Sequence, residues 1–167
     1  MTSPVVVRRA TVDDLAATAR ISVEAYTGAG QLDDGPDGFY GTVLADTGSR
    51  ESDALLLVAV RQEQVVGTVT ICTPASPFRE IGREGEVEFR FLAVAPEAWG
   101  HGVGDALVAA CEEHARSTGS NRLVICVRDI NSAAMTLYAR HGFQRLPERD
   151  WHPGPQVALL AFEKNLG

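Results

Sequence analysis

The chain has 167 residues, 45% apolar and 22% charged, with a net charge of −7 and a pI near 5.0. That length buries a sizeable core without disulfide or metal staples and calls for one domain, 1–167. The acidity argues against nucleic-acid binding, which Lys and Arg carry by neutralising phosphates, and no apolar run approaches the roughly 20 residues that span a membrane. The N-terminus places Arg8 and Arg9 after its apolar run and not before it, so it lacks a secretory pattern. Cys72, Cys111 and Cys126 are odd in number and embedded in apolar segments, as buried reduced thiols are. A soluble cytoplasmic protein without disulfides is expected.

Residues 5–10 form a β-branched run, and Thr11-Val12-Asp13-Asp14 has the form of a capping box, so a strand should lead into a helix starting at Val12. Leu15, Ala16, Ala19, Val23 and Tyr26 recur at helical spacing until Gly28 and Gly30 stop the pattern. Residues 31–52 are turn-rich, with room for a short second helix over 39–44. Residues 54–60 and 65–71 read as an antiparallel hairpin across the polar stretch 61–64. Pro74 and Pro77 end it, and a polar loop runs to Gly85.

Residues 86–107 read as a strand, a glycine-rich turn and the start of a helix. Gly100, Gly102 and Gly104 let the backbone turn so that several N–H groups converge at a helix N-terminus, a concavity that attracts phosphate. The spacing fits neither a dinucleotide fingerprint nor a Walker loop, because Asp105 or Leu107 stands at the last glycine place and no Gly-Lys pair occurs. Val103, Leu107, Ala110, Cys111 and His114 mark one helix face up to Gly119, and residues 123–127 are an apolar central strand. Asn131 is a fitting N-cap for a helix over 132–141 that Gly142 stops. Residues 143–146 and 157–162 complete the strands, separated by a Pro-rich loop over 147–155. The order β-α-α-β-β-β-α-β-α-β-β implies an α/β (α+β) fold with a mixed, mostly antiparallel sheet of six to seven strands and helices on both faces.

Val94-Ala95-Pro96 followed by Trp99-Gly100-His101-Gly102-Val103-Gly104 resembles the pyrophosphate loop of the GNAT acetyltransferase superfamily. Asn131, Tyr138 and Gly142-Phe143 match its next motif. The resemblance runs close to chain-wide. It implies a GNAT fold and an acetyl-coenzyme A-dependent N-acetyltransferase acting by direct transfer to a primary amine in a ternary complex. The strand ending at Val94 would splay from the strand over 123–127. Pantetheine would lie in the gap against the backbone of Leu92, Ala93 and Val94, and the pyrophosphate on Trp99, Gly100, His101, Gly102, Val103 and Gly104, with Asn131 and Tyr138 completing the cofactor site. The chain departs from the family at Trp99, where Arg or Gln is usual; the backbone nest does not depend on that side chain.

Tyr138 matches the family's general acid: a phenol at about 10 is protonated where a thiol at about 8.5 must be regenerated. The other reading is a tyrosine that packs its helix on the sheet. Glu88 matches a catalytic glutamate of several GNAT enzymes. Strand alternation sets Glu86, Glu88, Arg90 and Leu92 on one face, so Glu88 is either a base toward the acceptor or a surface carboxylate paired with Arg90. The oxyanion donor is expected from backbone N–H groups near Val94. Cys126 reads as a buried inert thiol.

Residues 27–39 and 147–155, the latter with Arg149, Asp150, Trp151 and His152, are expected to border an acceptor groove, the second loop being alternatively a rigid plug or a homodimer contact. The four histidines show no metal-ligand spacing, so no metal is expected. The partner is a small-molecule or peptide amine. The alternatives are a catalytically weak acyl-coenzyme A-binding module, or a protein N-terminal or lysine acetyltransferase.

Overall fold

In a computed structural model describing residues 3–167, one sheet takes the order β1-β2-β3-β4-β5-β8-β6, with β7 added to β8. The strands are β1 (Val6–Arg9), β2 (Leu55–Arg61), β3 (Gln64–Cys72), β4 (Glu86–Val94), β5 (Arg122–Arg128), β6 (Gln144–Arg145), β7 (Trp151–Gly154) and β8 (Val157–Asn165). Met1 and Thr2, the start of the segment read as lacking a secretory pattern, lie outside the described residues. β4 and β5 pair in parallel, and the other neighbouring pairs are antiparallel. The strand β7, inside what reads as a plain loop, takes the sheet beyond the six to seven strands expected.

Two irregularities in β4 shape the centre of the sheet. Its ladder with β5 covers only Glu86–Arg122, Val87–Leu123 and Glu88–Val124. Beyond Glu88 the two strands part, as the resemblance implied. In the ladder with β3, Thr70 faces Arg90 and Thr68 faces Ala93, so Phe91 and Leu92 lie opposite the single Val69. This β-bulge carries Phe91 at φ 57°, a left-handed conformation that a bulky side chain rarely adopts. Strict alternation therefore fails at Phe91. Its ring stacks under the Arg90 guanidinium at 4.3 Å, so two consecutive side chains share one face.

The helices are α1 (Leu15–Gly28), α2 (Phe39–Ala45), α3 (Thr47–Asp53), α4 (Val103–Ser117) and α5 (Ser132–Arg140). Leu57 and Ala59 of β2 join the cluster that contains Val103 and Leu107 of α4, whereas Leu56 and Val58 pack with Leu15. Alternate residues of one strand thus meet helices on opposite faces.

The α1 helix is preceded by a 3-10 turn, Val12–Asp14, and the Asp14 carboxylate accepts from the Thr11 N–H at 2.7 Å. Its buried stripe is Thr18, Ile21, Ser22 and Ala25, displaced from the apolar positions read in the sequence. Polar residues fit there because Thr18 and Ser22 donate their hydroxyls to the carbonyls of Asp14 and Thr18, each at 2.8 Å. The α3 helix, within the segment read as turn-rich, has no apolar periodicity. It is anchored by Arg50, fully buried, which donates to the carbonyls of Val43 and Leu44, each at 3.0 Å.

Candidate active site

The loop from Trp99 to Gly102 leads from β4 into α4. Gly100 and Gly102 have φ of 81° and 79°, conformations that exclude other residues without strain. Gly104 is needed for a different reason: a Cβ there would sit 3.1 Å from Leu137 Cδ2, so its role is the close approach of α4 to α5. Among the described residues, the N–H groups of Gly100 through Asp105 make no backbone hydrogen bond outside regular elements, and the helix ladder begins with Ala106 donating to Gly102. These donors, at the positive end of the α4 dipole, fit a pyrophosphate. The Val103 side chain is buried against the sheet, leaving only its N–H for a ligand, while His101 is exposed beside it. Asp105, in the first turn of α4, is paired with Arg140 at 2.9 Å and hydrogen-bonds the His141 ring at 2.8 Å.

Trp99, at the position usually polar in the family, donates its indole N–H to the Val94 carbonyl at 2.8 Å and lays its ring against Gly28 at the end of α1. It ties the loop to the end of β4. The ring of Tyr138 is buried edge-on against Phe89 of β4, centroids 5.9 Å apart, and burial pushes its phenol well above the usual range. Its hydroxyl makes no hydrogen bond to a described residue and is not among the fully buried polar atoms that lack a partner. Asn131 caps α5, its Oδ1 accepting from the Ala134 N–H at 3.1 Å. The contacts Trp99–Val94, Gly104–Leu137 and Phe89–Tyr138 bring the residues read in the sequence as cofactor-binding around one side of the fork.

Glu88 does not sit as a surface carboxylate. It is 1% exposed, and its Oε1 accepts from the N–H groups of Glu80, Ile81 and Gly82 at 2.8, 3.1 and 2.9 Å. Its Oε2 is fully buried and has no partner among the described residues. It is neither a surface carboxylate nor paired with Arg90; it clamps the loop before β4. Arg90 instead holds Glu80, Nε to Oε1 at 3.0 Å, and donates to the Phe78 carbonyl at 2.9 Å. Burial lifts the Glu80 carboxyl above its usual value despite Arg90.

The loop over 147–155 is stitched to the same region. Arg149 and Glu86 form a buried bidentate pair at 2.7 and 3.0 Å, and Asp150 takes Arg145 and the Ala161 N–H. Arg149 and Asp150 are therefore spent on structure. Between the loops an open depression of about 510 Å³ is lined by Glu80–Arg83 and Glu148–Trp151. Burial pushes the Cys126 thiol up to about 12, so it stays protonated at neutral pH. Among the described residues no group of His, Cys, Asp and Glu comes together that could hold a metal ion, and no helix is long and apolar enough to cross a membrane. Sequence reasoning missed Glu80 and Arg50, for which neither spacing nor motif gave a signal.

The family model described as Acetyltransferase (GNAT) family matches residues 15–143, and the chain belongs to that family. A mycothiol acetyltransferase of Geodermatophilus obscurus is 37% identical over 73 residues, 44% of this chain and 24% of that protein. Human N-acetyltransferase 8B is 31% identical over 102 residues, 61% of this chain and 44% of that protein. The chain thus spans less than half the length of these curated relatives. Among solved structures, a ribosomal-protein-alanine N-acetyltransferase from Brucella melitensis is similar at 27% identity and a TM-score of 0.70, covering 96% of this chain and 99% of that one. A PaiA N-acetyltransferase from Thermoplasma acidophilum in complex with coenzyme A gives a TM-score of 0.73 at 15% identity, covering 97% and 99%, and shares the fold.

Proposed function

We propose that the protein is an acetyl-coenzyme A-dependent N-acetyltransferase that passes the acetyl group directly to a primary amine in a ternary complex. The carrying observation is the fork between β4 and β5, with the unpaired N–H groups of Gly100–Asp105 and the buried Tyr138 on one side of it. Those N–H groups, with His101 at the rim, would hold the pyrophosphate, and the backbone of Leu92, Ala93 and Val94 the pantetheine. Asn131 shapes the start of the helix that presents Tyr138.

Acetyl transfer requires a deprotonated amine, donors for the developing oxyanion and a proton for the leaving thiolate. The bulged backbone before Val94 is the candidate oxyanion donor, because Phe91 and Leu92 share a single facing residue on β3. Tyr138 would supply the proton. Burial holds its phenol protonated, and burial also raises thiols in this core, Cys72 and Cys126 to about 12. A thiolate leaving at a desolvated site is a stronger base than in water, which favours its protonation.

A second reading, acetylation of a protein's N-terminal amine, is favoured by the near-complete overlap with the Brucella ribosomal-protein-alanine enzyme. Thiol release from acetyl-coenzyme A, measured against a panel of small amines and N-terminal peptides, decides between them. Tyr138→Phe should lower kcat by roughly 100-fold with coenzyme A affinity intact. No thiol release with any amine would support instead a binding module without transferase activity.

A further inference from the structure

Resting on the transferase reading above, we infer that Glu80 receives the acceptor's proton, on the face of the sheet opposite Tyr138. The last β4–β5 pair is Glu88–Val124, so Phe89 and Ile125, followed by Arg90 and Cys126, flank the opening of the fork. The side chains of β5 divide there. Leu123, Ile125 and Val127 cluster with Tyr138, whereas Val124 and Cys126 pack with Ile81, the neighbour of Glu80 in the chain. Tyr138 and the loop bearing Glu80 thus approach the fork from opposite sides. A cofactor thioester entering from one face and an amine from the other would meet between them.

Glu80 is fixed by two supports. Glu88 Oε1 holds its N–H at 2.8 Å, and Arg90 Nε holds its carboxylate at 3.0 Å. Its side chain keeps 15% exposure and lines the depression next to Trp151, so an amine can reach it. The competing carboxylates of β4 are occupied: Glu88 Oε1 carries three N–H groups and its Oε2 is sealed, while Glu86 is bound by Arg149 and Arg122. Burial pushes the Glu80 carboxyl upward, whereas Asp14, Asp46, Glu86, Asp105, Glu112 and Asp150 are held below their usual range. The charged and titratable groups facing it are Arg90 and Glu88 of β4, Tyr40 of α2, Cys72 of β3 and Cys126 of β5. A carboxylate brought nearer to neutrality by its surroundings is better suited to take a proton.

The proton balance closes. An ammonium acceptor loses one proton to Glu80, which hands it to solvent, and the nitrogen lone pair then forms the C–N bond. As the C–S bond breaks, the sulfur takes the Tyr138 proton. The second nitrogen proton leaves through Glu80 and restores the phenol by way of solvent. The products are the acetamide, the free thiol and one proton.

The experiment compares the parent chain with Glu80→Gln and Glu80→Asp, using the panel amine that releases thiol fastest and monitoring thermal stabilisation by coenzyme A as a check on the fold. Glu80→Gln is expected to lose about 100-fold in kcat at neutral pH while keeping that stabilisation. Its deficit should shrink as pH approaches the amine's own pKa, because the acceptor then arrives already deprotonated. Glu80→Asp should retain intermediate activity with the parent's pH profile. A deficit below about threefold, one constant across pH, or an Asp variant no better than Gln overturns the assignment while leaving the transferase reading intact. Absence of thiol release by the parent overturns both.

Discussion

The Trp99 indole donates to the Val94 carbonyl at 2.8 Å, joining the first residue of the glycine loop to the last residue of the strand that faces the fork. The position where the family usually carries a polar side chain is thus occupied by a residue that fixes backbone. Trp99→Phe keeps an aromatic ring on the loop but removes a hydrogen bond worth about 1 kcal/mol. The expected result is a KM for acetyl-coenzyme A raised about fivefold, at that free energy per RT, with kcat within about twofold. Steady-state kinetics with acetyl-coenzyme A varied at fixed amine reads both.

Glu88 is a fold element before it is anything else. Removing it by Glu88→Ala leaves the part-buried N–H groups of Glu80, Ile81 and Gly82 without their acceptor. At the low end of the cost of an unsatisfied donor, about 1 kcal/mol each, a loss of about 2–3 kcal/mol is expected in urea unfolding. Glu88→Gln, whose amide oxygen can still accept, should recover more than half of it. Equal stability of the Ala variant and the parent would remove the clamp from the account.

The Asp14 carboxyl is held down to about 2, chiefly by its hydrogen bond from Arg8, against 3.8 unperturbed. A folded-state value below the unfolded one means the pair stabilises above about pH 4 and loses that contribution as pH falls toward 2. Arg8 is 44% exposed, so solvent screening trims the gain to about 1–2 kcal/mol. Asp14→Asn should be less stable at pH 7 and show a flatter fall in stability between pH 4 and 2, measured by denaturant midpoints across that range.

The β2–β3 hairpin turns through Gln62 and Glu63 with φ of 52° and 63°, the left-handed pair that a two-residue hairpin loop requires. Neither residue prefers that conformation. Replacing them with Asn and Gly should stabilise the protein by about 1 kcal/mol, seen as a higher urea midpoint at unchanged slope. A lower midpoint would show that the side chains contribute more than the backbone strain costs.

The sequence exposes what periodicity and glycine spacing encode: the hairpin, the loop into α4, the caps at Thr11 and Asn131, and the order of the main strands. It hides what depends on tertiary partners. The α3 helix exists because one buried arginine ties it to α2, and its seven residues carry no apolar stripe. The β7 strand is set by pairing with β8 through a segment rich in proline. The bulge at Phe91 reverses a face that alternation assigns the other way, and with it the neighbours of Arg90. Glu88 was visible as an acidic residue in a strand, but its three N–H partners come from a loop that no local pattern aligns with it.

The central claim is that the turn from Gly100 into α4 and the adjoining fork form a coenzyme A site, and thermal unfolding in the presence of acetyl-coenzyme A tests it most directly. Ligand at about a hundredfold excess over Kd adds about 2.7 kcal/mol, which for a chain of this length raises Tm by roughly 5–10 °C. Gly102→Val, which forces a side chain into the left-handed position at φ 79°, should abolish most of that rise. An unchanged Tm for the parent protein at millimolar acetyl-coenzyme A would contradict the account.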